Sequence, residues 1–222
     1  MMSNVRLRLG VAVLAALMAV FSGGCASPVE NVVPDPGFQA CLNSYLGHKA
    51  KAAISADMLR GLNPPDGVFC TSSTTPFGML YTWGVGSLEG AQYLTAVTTL
   101  RFPYSGIDDL SPLAGLASLR TLDVSRNAIT DLSPLDGLDL ASLDATAQYL
   151  GDVRGPAGKP ITLPVVIGRD GKLVTLDVHM VNPAQEFVFA NGQVTVSAPA
   201  LGSADWRTAD GSFSGNVGIN VT

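Results

Sequence analysis

The stretch Leu100-Arg-Phe102-Pro-Tyr104-Ser105-Gly-Ile107-Asp-Asp-Leu110-Ser-Pro112-Leu113-Ala-Gly-Leu116-Ala-Ser-Leu119 decides the fold. Shifted forward by 22 residues it returns as Leu122, Val124, Asn127, Ile129, Leu132, Leu135 and Leu138, with Ala141 at the last position. Shifted back by 22 it returns as Leu80, Val85, Leu88, Ala91, Leu94 and Val97. The next unit is one residue short, since Leu140 and Leu143 follow Leu119 and Leu122 by 21. A unit of this size cannot bury its apolar positions alone and must stack on its neighbours. Such a stack offers a surface for holding another molecule and gathers no reacting groups.

A period in the twenties, written L-x-L-x-x-N-x-I-x-x-L, is the signature of leucine-rich repeats. Each L-x-L tripeptide is expected as a short strand on the inner curve, and the apolar tail returns along the outer face. A buried Asn suits the corner between them, because its amide both donates and accepts. Only Asn127 keeps that residue; Ser105, Gln148 and Trp83 stand at the equivalent places, so the ladder of amides reads as incomplete. The repeats span 77–150, close to the smallest number that is stable alone. Help is expected from a helical cap over 34–76. There Asp35 and Pro36 read as N-cap and first helical residue. Phe38, Cys41, Leu42, Tyr45 and Leu46 then recur at helical spacing until Gly47. Ser55 opens a second helical piece ending near Leu62, and Asn63 to Pro76 reads as a loop.

Residues 151–222 read as β-structure. Pro160 to Ile167 is strand-like, and Gly168 to Gly171 turns into a strand beginning at Leu173. Phe187–Ala190 and Gln193–Val196 flank Asn191-Gly192, whose residues supply the positive φ angles of a type I′ hairpin. Asp210-Gly211 precedes a last strand-like run from Ser212 to Val221. Several short strands separated by turns point to a small sandwich. The expected fold class is therefore α+β: helical cap, short leucine-rich repeat solenoid, β-sandwich.

Composition narrows the partners. Of 222 residues 47% are hydrophobic and 14% charged, which excludes a disordered chain. The formal charge is −5, and without residues 1–24, which hold Arg6 and Arg8 and no acid, it becomes −7. An acidic chain lacking a basic stripe excludes nucleic acid and anionic headgroups as ligands.

Arg6 and Arg8, the apolar run Leu9 to Phe21, and the small residues Ser22-Gly23-Gly24 read as an export signal over 1–24. Small residues followed by Cys25 resemble the lipobox of bacterial lipoproteins, although that family prefers Leu where Ser22 stands. The resemblance implies that Cys25 is the first mature residue and is acylated, with residues 25–33 as a tether. Acyl chains stabilise membrane attachment by about 0.8 kcal/mol per buried methylene. The alternative is an ordinary secretory signal beside a cysteine; an unmodified Cys25 thiol in the mass spectrum of the mature protein would select it. With Cys25 acylated, Cys41 and Cys70 remain as one pair in an oxidising compartment, open to a disulfide, two free thiols or an incomplete metal site.

Three pieces together resemble the internalin family of bacterial surface proteins. Val33-Pro-Asp-Pro-Gly-Phe38, Leu46-Gly47 and Ile54-Ser-Ala-Asp57-Met58 are similar to its helical cap. Ile107-Asp-Asp-Leu110-Ser-Pro112-Leu113 and Ile129-Thr-Asp131-Leu132-Ser-Pro134-Leu135 resemble its 22-residue repeats. Leu143-Asp-Ala-Thr-Ala-Gln148, Ile161-Thr-Leu163-Pro164 and Phe213-Ser-Gly215-Asn-Val217 look like its immunoglobulin-like domain, fused to the last repeat. The resemblance implies a rod that binds a protein or glycan through the inner repeat face, held at the cell membrane by the lipid on Cys25. No L-P-x-T-G motif is present, and the partners of the invasion proteins do not carry over.

The candidate binding residues are those pointing outward from each L-x-L strand. They are Tyr81; Thr99, Arg101 and Pro103; Thr121, Asp123 and Ser125; and Ser142, Asp144 and Thr146. Tyr104 lies beside them and Trp83 at a turn. Tyr, Trp and Arg most often dominate interface energetics; the competing reading is ordinary exposed strand residues. His48 and His179 lack convergent partners for a zinc site or a triad and read as structural. Gly84-Val-Gly86-Ser-Leu-Glu-Gly90 reads as repeat turns instead of a nucleotide loop. Asp108, Asp109, Asp131 and Asp136 read as a solvated acidic rim, with calcium ligation as the rival. No cofactor, metal or catalytic set is assigned. The expected function is adhesion or partner binding at the cell surface; the alternative is an envelope scaffold whose partner lies in the same cell.

Overall fold

Asp35 opens the first helix through its own carboxylate. In the computed structural model, which describes residues 29–74, 80–82, 84–180 and 186–222, its Oδ1 accepts from Phe38 N at 2.7 Å. Pro36 then sits where no amide donor is needed. Helix α1 runs Pro36–Leu46 and closes on Gly47, whose φ of 69° is left-handed. Ser55 caps α2, Ala56–Arg60, through Met58 N. Phe38, Cys41 and Leu42 are buried along one face of α1. Cys41 is disulfide-bonded to Cys70, with the Cα atoms 5.5 Å apart. The export signal and Cys25 lie outside the described residues. Among those described, no helix is long and apolar enough to cross a membrane.

A parallel ladder follows, made of β1 (Val68–Phe69), β4 (Thr99–Arg101), β5 (Thr121–Asp123) and the start of β6 (Ser142–Gly155). Leu100 pairs with Leu122 and Leu122 with Leu143, so coils one period apart stand side by side. Their inward side chains join Val85, Leu88, Phe102, Ile107, Leu110, Val124 and Ile129 in one buried cluster. On the return path three 3-10 turns, Ala91–Tyr93, Ser111–Leu113 and Ser133–Leu135, bring Ala91, Leu113 and Leu135 into that cluster. Pro112 and Pro134 occupy the openings of the last two turns, where a missing donor costs nothing.

The first coil departs from the fixed period. Its strand is Val68–Phe69, paired with Leu100 and Arg101 at a separation of 32 residues, where 22 was expected. Leu80-Tyr81-Thr82 forms β3 instead and pairs antiparallel with β2, Thr71–Thr74, away from the ladder. The cause lies in α1. The Cys41–Cys70 bond and Tyr45, whose hydroxyl accepts from Phe69 N at 2.8 Å, hold β1 beside α1. Thr71–Thr74 and Leu80–Thr82 then pair with each other in a separate sheet. The segment read as a loop over Asn63 to Pro76 thus contains two strands.

Strand β6 does not stop at the last coil. Its 14 residues run through the boundary expected between 150 and 151. From Ala145 to Gly155 it pairs in parallel with β12, Phe213–Val221. Antiparallel β11 (Ala200–Arg207) and β8 (Asp177–Met180) complete a seven-stranded sheet of order β1-β4-β5-β6-β12-β11-β8. A second sheet of order β7-β10-β9 joins Ile161–Thr162, Gln193–Val196 and Phe187–Ala190. Asn191 and Gly192, at φ 52° and 72°, make the expected hairpin turn. Ile161, Leu163, Val194 and Val196 pack with Ala204, Val217, Ile219 and Val221 from the first sheet in a second cluster. The long strand expected from Leu173 is shorter: Leu173 makes one isolated bridge to Ile167, and β8 begins at Asp177.

Candidate functional site

The outward face of the ladder is built by alternation: Leu100, Leu122 and Leu143 turn inward, so their neighbours in the strands turn outward. Thr99, Thr121 and Ser142 lie in one row. Phe69, Arg101, Asp123 and Asp144 lie in the next. Backbone bonds continue beyond the strand ends, from Phe102 N to Asp123 O at 2.7 Å and from Val124 N to Asp144 O at 2.8 Å. Tyr104 N reaches Ser125 O, and Arg126 N reaches Thr146 O. Tyr104, Arg126 and Ala147 share a left-handed conformation, at φ 57°, 58° and 58°. They mark the same corner in successive coils, and Tyr104 and Arg126 both stand exposed.

Corner geometry depends on buried amides. Asn127 Oδ1 accepts from Ser105 N at 3.0 Å and Ile107 N at 3.1 Å, while its amide donates to Phe102 O and Val124 O, each at 2.8 Å. Gln148 repeats the pattern one coil later. Its Nε2 donates to Val124 O at 2.9 Å and Ala145 O at 3.0 Å, and its Oε1 accepts from Ile129 N at 3.0 Å. The amide ladder therefore has a second rung where the sequence suggested a gap, because a longer side chain performs the same exchange.

Charges of both signs share the face. Arg101 lies over the Phe69 ring at 4.9 Å, and Arg126, on the same coil as Asp123, lies over the Tyr104 ring at 4.9 Å. Two carboxylates stand among them. Asp123 Oδ1 accepts from Ser125 N and Oγ at 3.1 and 2.7 Å. Asp144 Oδ1 accepts from Thr146 N and Oγ1 at 3.0 and 2.7 Å. Each keeps its Oδ2 without a partner among the described residues. The arrangement can offer stacked cations to an acidic or polar group, and carboxylate oxygens to donors a coil or two away.

Of the residues expected on this face, Arg101, Tyr104, Asp123, Ser125 and Asp144 come together. Tyr81 does not: its backbone belongs to the β2–β3 hairpin. Trp83 lies outside the described residues. Phe69 and Arg126 were not singled out in the sequence. Val68-Phe-Cys70 has the spacing of an L-x-L strand, and Arg126 falls one period after Tyr104, so both carried a signal.

The acids near the return tails have local duties. Asp109 Oδ1 accepts from Ser111 N at 2.8 Å and Asp131 Oδ1 from Ser133 N at 2.7 Å, each holding the start of a 3-10 turn. Among the described residues, no group of three or more His, Cys, Asp or Glu is placed to hold a metal ion. His179 is exposed between Asp177 and Asp205, with its Nε2 3.4 and 3.8 Å from their carboxylates. Asp177 stands two residues before His179 in the sequence, whereas Asp205 is brought beside it by the pairing of β8 with β11.

No family model matches the chain. No curated protein matches it either. Solved structures do. The CBM51-2 domain in complex with GlcNAc and INT domains of Clostridium perfringens ZmpB are 19% identical over 87% of this chain and 36% of that one, with a TM-score of 0.50. The functional domain of the Listeria monocytogenes internalin InlJ is 13% identical over 60% of this chain and 35% of that one, with a TM-score of 0.42. Internalin InlF of the same organism is 24% identical over 54% and 31%, with a TM-score of 0.39. The chain spans 36% or less of the length of these three structures. At this identity the likeness to the Clostridium perfringens domains is one of fold: a mostly β chain with few helices.

Proposed function

We propose that this chain is a non-catalytic, lipid-anchored bacterial surface protein that binds a protein or glycan on the outward face of its ladder. In this reading the coils are leucine-rich repeats of internalin type, the α1–α2 segment is their cap, and the sandwich is immunoglobulin-like. The lipid on Cys25 places the face outside the cytoplasm. One observation carries the reading: successive coils in register bring Phe69, Arg101, Asp123 and Asp144 into a single row. Arg101 in that row, with Tyr104 nearby, belongs to the residue types that most often dominate interface energetics. The backbone of that face is already hydrogen-bonded along the ladder, so its side chains are left for a partner.

Glycan arrays and capture from host-cell membranes would identify the partner. Arg101→Ala combined with Tyr104→Ala should then weaken its binding by more than about tenfold, the scale of one lost hot spot. Unchanged affinity would move the site off this face.

A further inference from the structure

A cleft of about 720 Å³ opens beside the last coil, and none of the face residues described above lines it. One wall is the Gly168–Val174 hairpin, another is the Arg207–Ser212 turn between β11 and β12, and leucines of the last coil supply the remainder. The volume falls in the range of about 300–1,000 Å³ typical of small-ligand sites.

Both walls are fixed in advance. Ile167 N donates to Thr130 O at 2.8 Å and Leu132 N to Ile167 O at 3.0 Å, which ties the root of the hairpin to the coil. The Arg169 guanidinium then donates to Leu135 O and Leu138 O. In the opposite turn Asp210 accepts from Thr208 Oγ1 at 2.6 Å, Ser212 Oγ at 2.8 Å and Ser212 N at 3.2 Å. Those bonds hold its carboxyl below the usual carboxylate range. Lys172 is neutralised by Asp170 at 2.7 Å.

Arg207 is the exception. Among the described residues, Arg60, Arg120 and Arg154 pair with carboxylates, Arg101 and Arg126 lie over rings, and Arg169 bonds carbonyls. Of these described arginines only Arg207, whose backbone pairs with Ser214, has a side chain with no ion pair, hydrogen bond or ring contact. It lines the cleft in a chain of formal charge −5. The lining of the cleft is mixed: Leu140, Leu143, Leu173 and Val174 supply an aliphatic side, Arg169, Asp170, Lys172 and Asp210 are the other charged residues, and among the described residues no aromatic ring lines it. Leu173 is 75% exposed and lines the same cleft as Arg207.

We propose that this cleft takes the C-terminal end of a peptide with aliphatic side chains. The planar Arg207 fork accommodates both oxygens of the terminal carboxylate. The aliphatic side chains displace water from Leu140, Leu143, Leu173 and Val174. A neutral sugar meets no stacking ring among the described residues here, and its hydroxyls meet Thr208 and Ser212 already engaged with Asp210.

The test is calorimetric titration of the protein with acetyl-Ala-Leu-Leu carrying a free carboxylate, the same peptide as its amide, and galacturonate. The free acid should saturate and bind at least about tenfold more tightly than the amide. Arg207→Ala should abolish that preference, and Leu173→Asp, at an exposed position, should weaken the acid further through like charge. Arg101→Ala should leave it unchanged, which separates this site from the ladder face. No saturation below about 5 mM, equal binding of acid and amide, or an intact preference in Arg207→Ala would overturn the proposal. Tighter binding of galacturonate than of the peptide would overturn it too.

Discussion

Asn127 is the residue on which the corner of the ladder turns. The residue is 3% exposed, and its side chain serves five backbone groups in two coils. Each buried group stripped of its partner costs about 1–3 kcal/mol. Replacement by Ala removes all five bonds, although relaxation recovers part of the loss. Asn127→Ala should therefore lower the unfolding free energy by about 3 kcal/mol, read as a fall in the urea midpoint at constant m-value. Asn127→Asp should not rescue it at neutral pH, because a carboxylate keeps the acceptor, loses both donors and adds a buried charge. A loss below about 1 kcal/mol for the Ala variant would show that the corner stands without the amide. The sequence identified Asn127 for this role and passed over Gln148, because spacing alone does not reveal that one extra methylene reaches the same carbonyls.

At the scale of elements, one carboxylate joins the cap to the first coil. Asp35 Oδ1 caps α1, while Oδ2 accepts from Gly86 N at 3.0 Å and Ser87 N at 3.2 Å, more than 50 residues away. Losing an N-cap alone costs about 1 kcal/mol, so Asp35→Ala should cost about 2 kcal/mol once the loop bonds go as well. Asp35→Asn keeps one acceptor oxygen and should fall between the two in urea unfolding; an Asn variant matching the wild type would show that the second oxygen contributes nothing. The cap residue itself was legible, as were Gly47, Ser55 and the Asn191-Gly192 turn, because each is a local preference of backbone or side chain. What the sequence hid was non-local. Strand β1 was concealed because its partner lies 32 residues on, and a search at one period steps over the hairpin between them. Phe69 was lost from the candidate face for the same reason, and Tyr81 was placed there wrongly. Strand β11 was not singled out, since Leu201-Gly-Ser-Ala-Asp alternates only weakly and owes its place to β12 and β8 on either side.

For the whole molecule the decisive element is β6, which belongs to the ladder through β5 and to the sandwich through β12. Residues 31–222 form one compact unit. One buried cluster runs from Val33 and Phe38 in the cap through the coils to Trp206 and Phe213 in the sandwich. The two rings meet edge to face at 6.0 Å, so Trp206 reports on the junction. A shared strand and a shared core make partial unfolding costly, since opening either half exposes apolar surface of the other. The chain should therefore unfold in a single transition. In a Trp83→Phe background, where Trp206 is the only remaining indole of the two in the chain, its fluorescence and the far-UV circular dichroism should give coincident urea curves. The disulfide sits at the far end, beside α1, and joins cysteines 29 positions apart in sequence. Removing it with Cys41→Ala and Cys70→Ala should cost about 3 kcal/mol in the chain-entropy account. If cap, coils and sandwich form one cooperative body, that loss moves the Trp206 curve by the same amount as the dichroism, although Trp206 lies in the other half of the molecule. A Trp206 midpoint left in place while the dichroism shifts would mean that the sandwich folds without the ladder, and that β6 is a bridge between two bodies instead of the spine of one.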